Sequence, residues 1–274
     1  MTVEFFLGTH QPGWLRDSAV PLFVSDRRLR GYKKLPKATN RWALDSGGFT
    51  ELSAHGSWDQ GPTPRQYTDR VRRYSDEIGN LAWAAPQDWM CEPWILVKTG
   101  LALGEHLRRT VGSFVQLREL APDLPFIPVV QGWRPEDYLA CVDLYAAAGV
   151  DLSASPVVGL GSVCRRQATN EAVAIIDALH SVGVRRLHGF GFKVLGLRRC
   201  GQRLTSADSM AWSIEARRNA PLLGCRHRNC ANCPRYAYRW RERVLGSIPS
   251  YETLALFDHQ AATRGALDDA PGAA

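Results

Sequence analysis

The sequence predicts an α/β protein, a (β/α)8 barrel of the TIM type with a small C-terminal appendage. Three observations point there. Eight short runs rich in β-branched and aromatic residues recur along the chain, helical apolar spacing fills most of the gaps between them, and 274 residues is a usual size for such a barrel.

In order, the runs are residues 3–8 (VEFFLG), 21–25 (PLFVS), 41–46 (RWALDS), 81–87 (LAWAAPQ), 126–132 (FIPVVQG), 150–159 (VDLSASPVVG), 185–191 (RRLHGFG) and 202–208 (QRLTSAD). Residues 64–78, 135–149 and 170–183 carry apolar side chains at helical spacing. Strands separated by helices pair in parallel, and eight of them can close on themselves. The first two connections are short, and 263–274 (TRGALDDAPGAA) reads as a flexible tail.

Composition narrows the class. Hydrophobic residues make up 45% and charged residues 22%, an ordinary globular balance. No window reaches the roughly 18 apolar residues of a membrane helix, and the N-terminus has no basic leader, so a cytoplasmic protein without membrane contact is expected. The net charge is +7, with much of the excess in residues 26–34 (DRRLRGYKK) and 225–243 (CRHRNCANCPRYAYRWRER). Arginines interleaved with Tyr and Trp suit a phosphate backbone with exposed bases, and equally an arginine-rich solvated surface.

In this fold, functional groups sit where strands end and the next loop begins. Polar residues gather at those places. Asp45 ends the third run, Asp88 follows the fourth, Gln131 ends the fifth, Gly159 to Gly161 follow the sixth, His188 lies at the end of the seventh and Asp208 ends the eighth. Their shared position favours one pocket. His10, after the first run, lies at the same end and is equally a structural histidine.

Of seven cysteines, Cys91, Cys141, Cys164 and Cys200 are scattered, whereas Cys225, Cys230 and Cys233 fall within nine residues. Bunched thiols in a cytosolic chain point to metal before disulfides. His259, past a helical segment, would complete a closed tetrahedral zinc site, and His227 inside the cluster is the competing fourth ligand. The expected organisation is a barrel core over 1–220, a zinc-binding subdomain with closing helices over 221–262, and the tail.

These segments resemble the guanine transglycosylases, which exchange guanine for a 7-deazaguanine in nucleic acid. The sequence DSGGF (45–49) is similar to the family's general acid/base motif, VVQG (129–132) to its base-recognition glutamine segment, and GLGS (159–162) to its glycine-rich segment. SADSMAWSIEAR (206–217) resembles the nucleophile segment, in an archaeal rather than a bacterial style. The family also carries a three-cysteine, one-histidine structural zinc site near its C-terminus. Here the first spacing departs, with four residues between Cys225 and Cys230 where one is expected.

The resemblance implies roles. Asp208 would be the nucleophile at the sugar carbon, and Asp45 the general acid and then base, as in retaining glycosidases. Phe49 would stack on the flat base. Asp88 and Gln131 would read its polar edges, with backbone groups of Gly159 and Leu160 completing the set and His188 as a further pocket residue. Transfer-RNA enzymes of the family are usually longer, and PQDWMCEPW (86–94) replaces a more regular acidic motif. That pattern resembles the DNA-modifying branch of phages and bacterial genomic islands, which uses 7-cyano-7-deazaguanine or a relative. DNA is therefore the expected polymer over tRNA, in the host cytoplasm if the chain is phage-encoded. The alternatives are a tRNA enzyme, or an inactive nucleic-acid-binding paralogue or partner subunit. A homodimer or an accessory partner is compatible with either.

Overall fold

The computed structural model describes residues 3–248. Eight strands, β1 (Glu4–Thr9), β2 (Leu22–Ser25), β3 (Trp42–Asp45), β4 (Leu81–Ala84), β5 (Val129–Val130), β6 (Val158–Leu160), β7 (Leu187–Gly189) and β8 (Ser206–Ser209), form one curled parallel sheet. Their order is β4-β3-β2-β1-β8-β7-β6-β5. At the open edges, the Ala84 amide donates to Pro125 O (3.0 Å) and the Ile127 amide to Ala84 O (3.1 Å), linking β4 to the segment ahead of β5.

Alternation along the strands divides the core in two. Phe5 and Leu7 point outward to the helices, while Phe6 between them points inward to Ala43, Trp83, Ala85 and Ile127. Because both faces are covered, the strands read as nearly continuous apolar runs.

The helices are α1 (Asp26–Leu29), α2 (Gly48–His55), α3 (Pro64–Ile78), α4 (Pro93–Thr99), α5 (Leu103–Leu120), α6 (Pro135–Ala147), α7 (Asn170–Ser181), α8 (Val194–Cys200), α9 (Ala211–Arg218) and α10 (Pro234–Leu245). Helix α3 starts where its sequence says it should. Thr63 and Gln66 form a capping box, Pro64 occupies the first turn, and Tyr67, Val71, Tyr74 and Ile78 make one buried stripe. Tyr67 then donates to Ala85 O (2.7 Å), which ties α3 to the end of β4.

Most runs are longer than the strands found in them, notably the sixth and the fifth. Residues 151–155 form a turn in which Asp151 accepts from the Ser153 amide (2.8 Å) and hydroxyl (2.7 Å), so β6 begins only at Val158. Before β5, Phe126 makes a single bridge to Ala84.

The segment after α9 packs into the same core as the sheet. Cys230, Cys233, Tyr236, Trp240 and Val244 all join it, and the Trp240 ring meets Phe5 at 6.1 Å. No described helix is long and apolar enough to cross a membrane. His259 and the expected tail at 263–274 lie outside the described residues.

Candidate active site

At the carboxyl ends of the strands two cavities share a wall made of Phe23, Asp45, Phe49 and Asp208. The inner one, about 230 Å³, runs down to Asp88, Gln131 and Ser162. The outer one, about 530 Å³, is bordered by Thr9, His10, Arg27, Arg28 and Met210.

The DSGGF turn is built to bring backbone close to side chains. Asp45 ends β3 and accepts from the Gly47 amide (3.1 Å). Gly47 has φ 86°, a left-handed conformation that favours glycine, and it starts α2. Gly48 has no room for a side chain, because a Cβ there would lie 2.9 Å from Asp88 Oδ1. Burial pushes the Asp45 carboxyl above its usual range, against the Gly47 amide and the Ser25 hydroxyl, and the charges of Asp208 and Asp26 push the same way.

Asp88 follows β4 on a turn held by Trp58, whose indole donates to Asp88 O (3.2 Å). Its carboxyl is pushed up to about 7, first by burial and then by the charge of Asp45. Gln131, fully buried, donates from Nε2 to Asp88 Oδ2 (2.6 Å). On its other side Gln131 Oε1 accepts from the Ser162 hydroxyl (2.6 Å). Gly161 makes this arrangement possible, since a Cβ there would overlap the Gln131 amide.

Asp208 is 6% exposed and lies in β8 opposite Phe6. Its Oδ1 accepts from the Gly191 amide (2.9 Å) and lies 3.3 Å from His188 Nε2. His188 is completely buried, bonds to Ser206 Oγ at 2.9 Å through Nδ1, and meets the Trp83 ring edge-on at 4.6 Å. It therefore stands behind Asp208 and does not border the inner cavity. Gly159 and Leu160 are likewise set back. Gly159 packs against Phe190 and Val129, and Leu160 is core. The cavity wall on that strand is made by the next two residues, Gly161 and Ser162.

Phe49, 45% exposed, meets Trp94 at 5.9 Å, and the Arg165 guanidinium lies 4.9 Å from the Trp94 centroid and 5.9 Å from that of Phe49. His10 Nε2 is buried without a partner among the described residues, and burial lowers its pKa, with Arg28 and Arg217 adding to the effect. Among the wall residues that sequence reasoning gave no place of their own are Glu92, Ser162 and Gly191. Only the proximity of Glu92 to Asp88, and of Ser162 to the glycine segment, pointed toward them.

At the other end of the chain, ligand atoms of Cys225, His227, Cys230 and Cys233 lie within 4.8 Å of one another, and the four can hold a metal ion. The sulfurs of Cys225 and Cys233 are 4.0 Å apart. Tetrahedral coordination at Zn–S bonds of about 2.3 Å implies about 3.8 Å between sulfurs, so the donor set fits. With His227 in the set, the expected one-residue gap reappears between the first two ligands. The loop is anchored to α9 by the Ser213 hydroxyl, which donates to Ala231 O (2.8 Å).

No curated protein matches the sequence. A family profile does, that of DpdA, "DeoxyPurine in DNA protein A", over residues 1–273. With nearly the whole chain matched, the protein belongs to the DpdA family, the DNA-guanine transglycosylase branch of 7-deazaguanine modification.

Proposed function

We propose that the protein exchanges guanine in DNA for 7-cyano-7-deazaguanine or a relative, through a covalent aspartyl–nucleotide intermediate. The observation that carries this reading is the wall shared by the two cavities. It holds two carboxylates, Asp45 and Asp208, between a base-sized chamber and a basic outer one.

The target nucleotide leaves the helix stack, and its guanine enters the inner chamber between Phe49 and the polar floor. A carboxylate oxygen of Asp208 attacks C1′ and the N9–C1′ bond breaks. Its electron pair leaves with guanine, and Asp45 supplies the proton. Once guanine has gone, Asp45 takes the proton from the incoming base, whose nitrogen attacks C1′ and displaces Asp208. Two inversions give net retention. Burial raises the Asp45 carboxyl, which suits a group that must hold a proton in one half-reaction and release it in the other. Asp88 accepts from the N1 and 2-amino hydrogens, and Gln131 donates to the carbonyl edge.

The sheet order and the Ala84 hydrogen bonds support a closed (β/α)8 barrel. The thiol-rich set of Cys225, His227, Cys230 and Cys233 supports structural Zn2+, which would lock the loop against α9.

Incorporation of labelled guanine tests the reading, with double-stranded DNA and tRNA offered side by side and unlabelled 7-cyano-7-deazaguanine as competitor. Label in DNA, suppressed by the competitor, is expected. Label in tRNA alone would move the activity to the other polymer. Label in neither would return the chain to a binding paralogue or a subunit that needs a partner.

A further inference from the structure

The geometry points to Ser162 and Glu92 as the pair that fixes the orientation of the Gln131 amide, and so selects a 6-oxo base over a 6-amino base. This rests on the inner chamber being the base site, and it concerns positioning residues behind the side chains that would touch the base.

A glutamine amide is nearly symmetric in shape and opposite in chemistry at its two ends. Turned one way it donates into the chamber, and turned the other way it accepts. Here Gln131 Nε2 donates to Asp88 Oδ2 (2.6 Å), and its second N–H is available to a ligand. That hydrogen suits the O6 carbonyl of guanine or of a 7-deazaguanine. A turned amide would instead offer oxygen, which suits the 6-amino group of adenine or 2,6-diaminopurine.

Asp88 alone does not hold the amide. With its carboxyl pushed up to about 7, it carries a proton part of the time and can then donate to a turned amide. The other end of Gln131 therefore needs a dedicated donor.

Ser162 supplies it, and every contact of its hydroxyl is accounted for. Its one hydrogen goes to Gln131 Oε1 (2.6 Å). Its oxygen accepts from the Cys91 amide (2.7 Å), and Glu92 Oε2, at 3.1 Å, is a second and longer acceptor within reach of the hydroxyl. Glu92 is 3% exposed, and burial raises its carboxyl above the usual range. With one lone pair engaged by the Cys91 amide and the Gln131 contact the shorter of the two acceptor contacts, the hydroxyl is directed at Gln131.

The backbone at Ser162 strengthens the case. Its φ is 53°, a left-handed conformation unusual for a residue other than Gly, Asn or Asp. Glycine would sit there without strain. The hydroxyl, which glycine lacks, is what serine adds, and it is directed at Gln131.

Ser162→Gly therefore makes a clean test, because it removes the hydroxyl while relieving the backbone and should not unfold the chain. The measurement is the Kd of the full-length protein for guanine and for 2,6-diaminopurine, which differ in their polar edge at C6. Wild type should prefer guanine by roughly tenfold or more, since the wrong base leaves a buried donor unpaired. In Ser162→Gly that preference should shrink to less than about threefold, with guanine bound more weakly. Glu92→Gln, whose amide can donate to Ser162 and so leave its hydrogen to Gln131, should keep the preference, and its loss there would overturn the part given to Glu92. An unchanged preference in Ser162→Gly would overturn the inference while leaving the base site intact. A wild type that binds neither base, or both equally, would instead defeat the assignment of the chamber itself.

Discussion

The two cavities at the sheet's carboxyl end differ in how far the protein has already satisfied them. In the inner chamber Asp88, Gln131, Ser162 and Glu92 form a chain of mutual hydrogen bonds, nearly all of it buried. In the outer one Arg28 is exposed and His10 Nε2 has no partner among the described residues, although Arg27 is paired with Glu51. A chamber whose groups already hold each other suits a neutral, planar ligand recognised by its edge pattern. A basic, open chamber suits the sugar-phosphate chain.

The strongest way to break this division is at the shared wall. Asp208→Asn and Asp45→Asn should each reduce base exchange by about 10³-fold or more in single-turnover assays, with Asp208→Asn also abolishing a trappable DNA adduct. A rate within tenfold of wild type would remove that carboxylate from the reaction.

Next in size is Cys230→Ser. Cys230 is fully buried in the main core, so loss of the metal should lower Tm by roughly 10 °C and metal content by elemental analysis to near zero. Since the loop braces α9, which follows Met210 of the outer chamber, DNA binding should suffer more than guanine binding.

Asp88 sharpens the inner half. Its ionised form accepts from two base hydrogens, so guanine affinity should fall up to tenfold for each pH unit below about 7, while Asp88→Asn should bind more weakly at pH 8 and show no such slope. Stability has its own sign. Between the usual value of 3.8 and about 7, the folded protein keeps a proton that the unfolded chain has lost, so the penalty for burying this charge grows with pH and is complete above 7. Asp88→Asn should therefore raise Tm at pH 8 and leave it nearly unchanged at pH 4.

The smallest effect is expected at the outer half. Arg28→Ala should weaken DNA binding about three- to tenfold and reduce the salt slope by about one, with guanine affinity untouched. A flat salt response would make the outer arginines mere surface.

Much of this was legible in the sequence because strand ends and helix caps are local signals. Helix α3 follows from Thr63, Pro64 and Gln66, and each of the eight expected runs overlaps a strand. In DSGGF the glycines let the turn after β3 pack tightly, and Gly48 lies close against Asp88. What escaped depends on which way a side chain points across the sheet. His188 and Asp208 both sit at strand ends, yet one is buried behind the other. Gly159 and Gly161 differ by two residues and face the same side, but only the second lies far enough along β6 to meet Gln131. The left-handed turn at Ser162 has no signature in a serine codon, and its hydroxyl network spans 70 residues of chain to Glu92.

At about 230 Å³ the inner chamber suits one bicyclic base at a time, and this bears on the order of events in time. An incoming base cannot wait beside the departing one, so on the proposed mechanism the two half-reactions are separated by an interval with an empty chamber. During that interval the strand is held to the protein only through its own covalent bond and the outer contacts. Initial rates against both substrates should give parallel double-reciprocal lines, and free guanine should compete with the new base for the same vacancy. Water is the third claimant in that interval. How well the Phe49, Trp94 and Arg165 rim excludes it would determine how often modification ends as an abasic site instead.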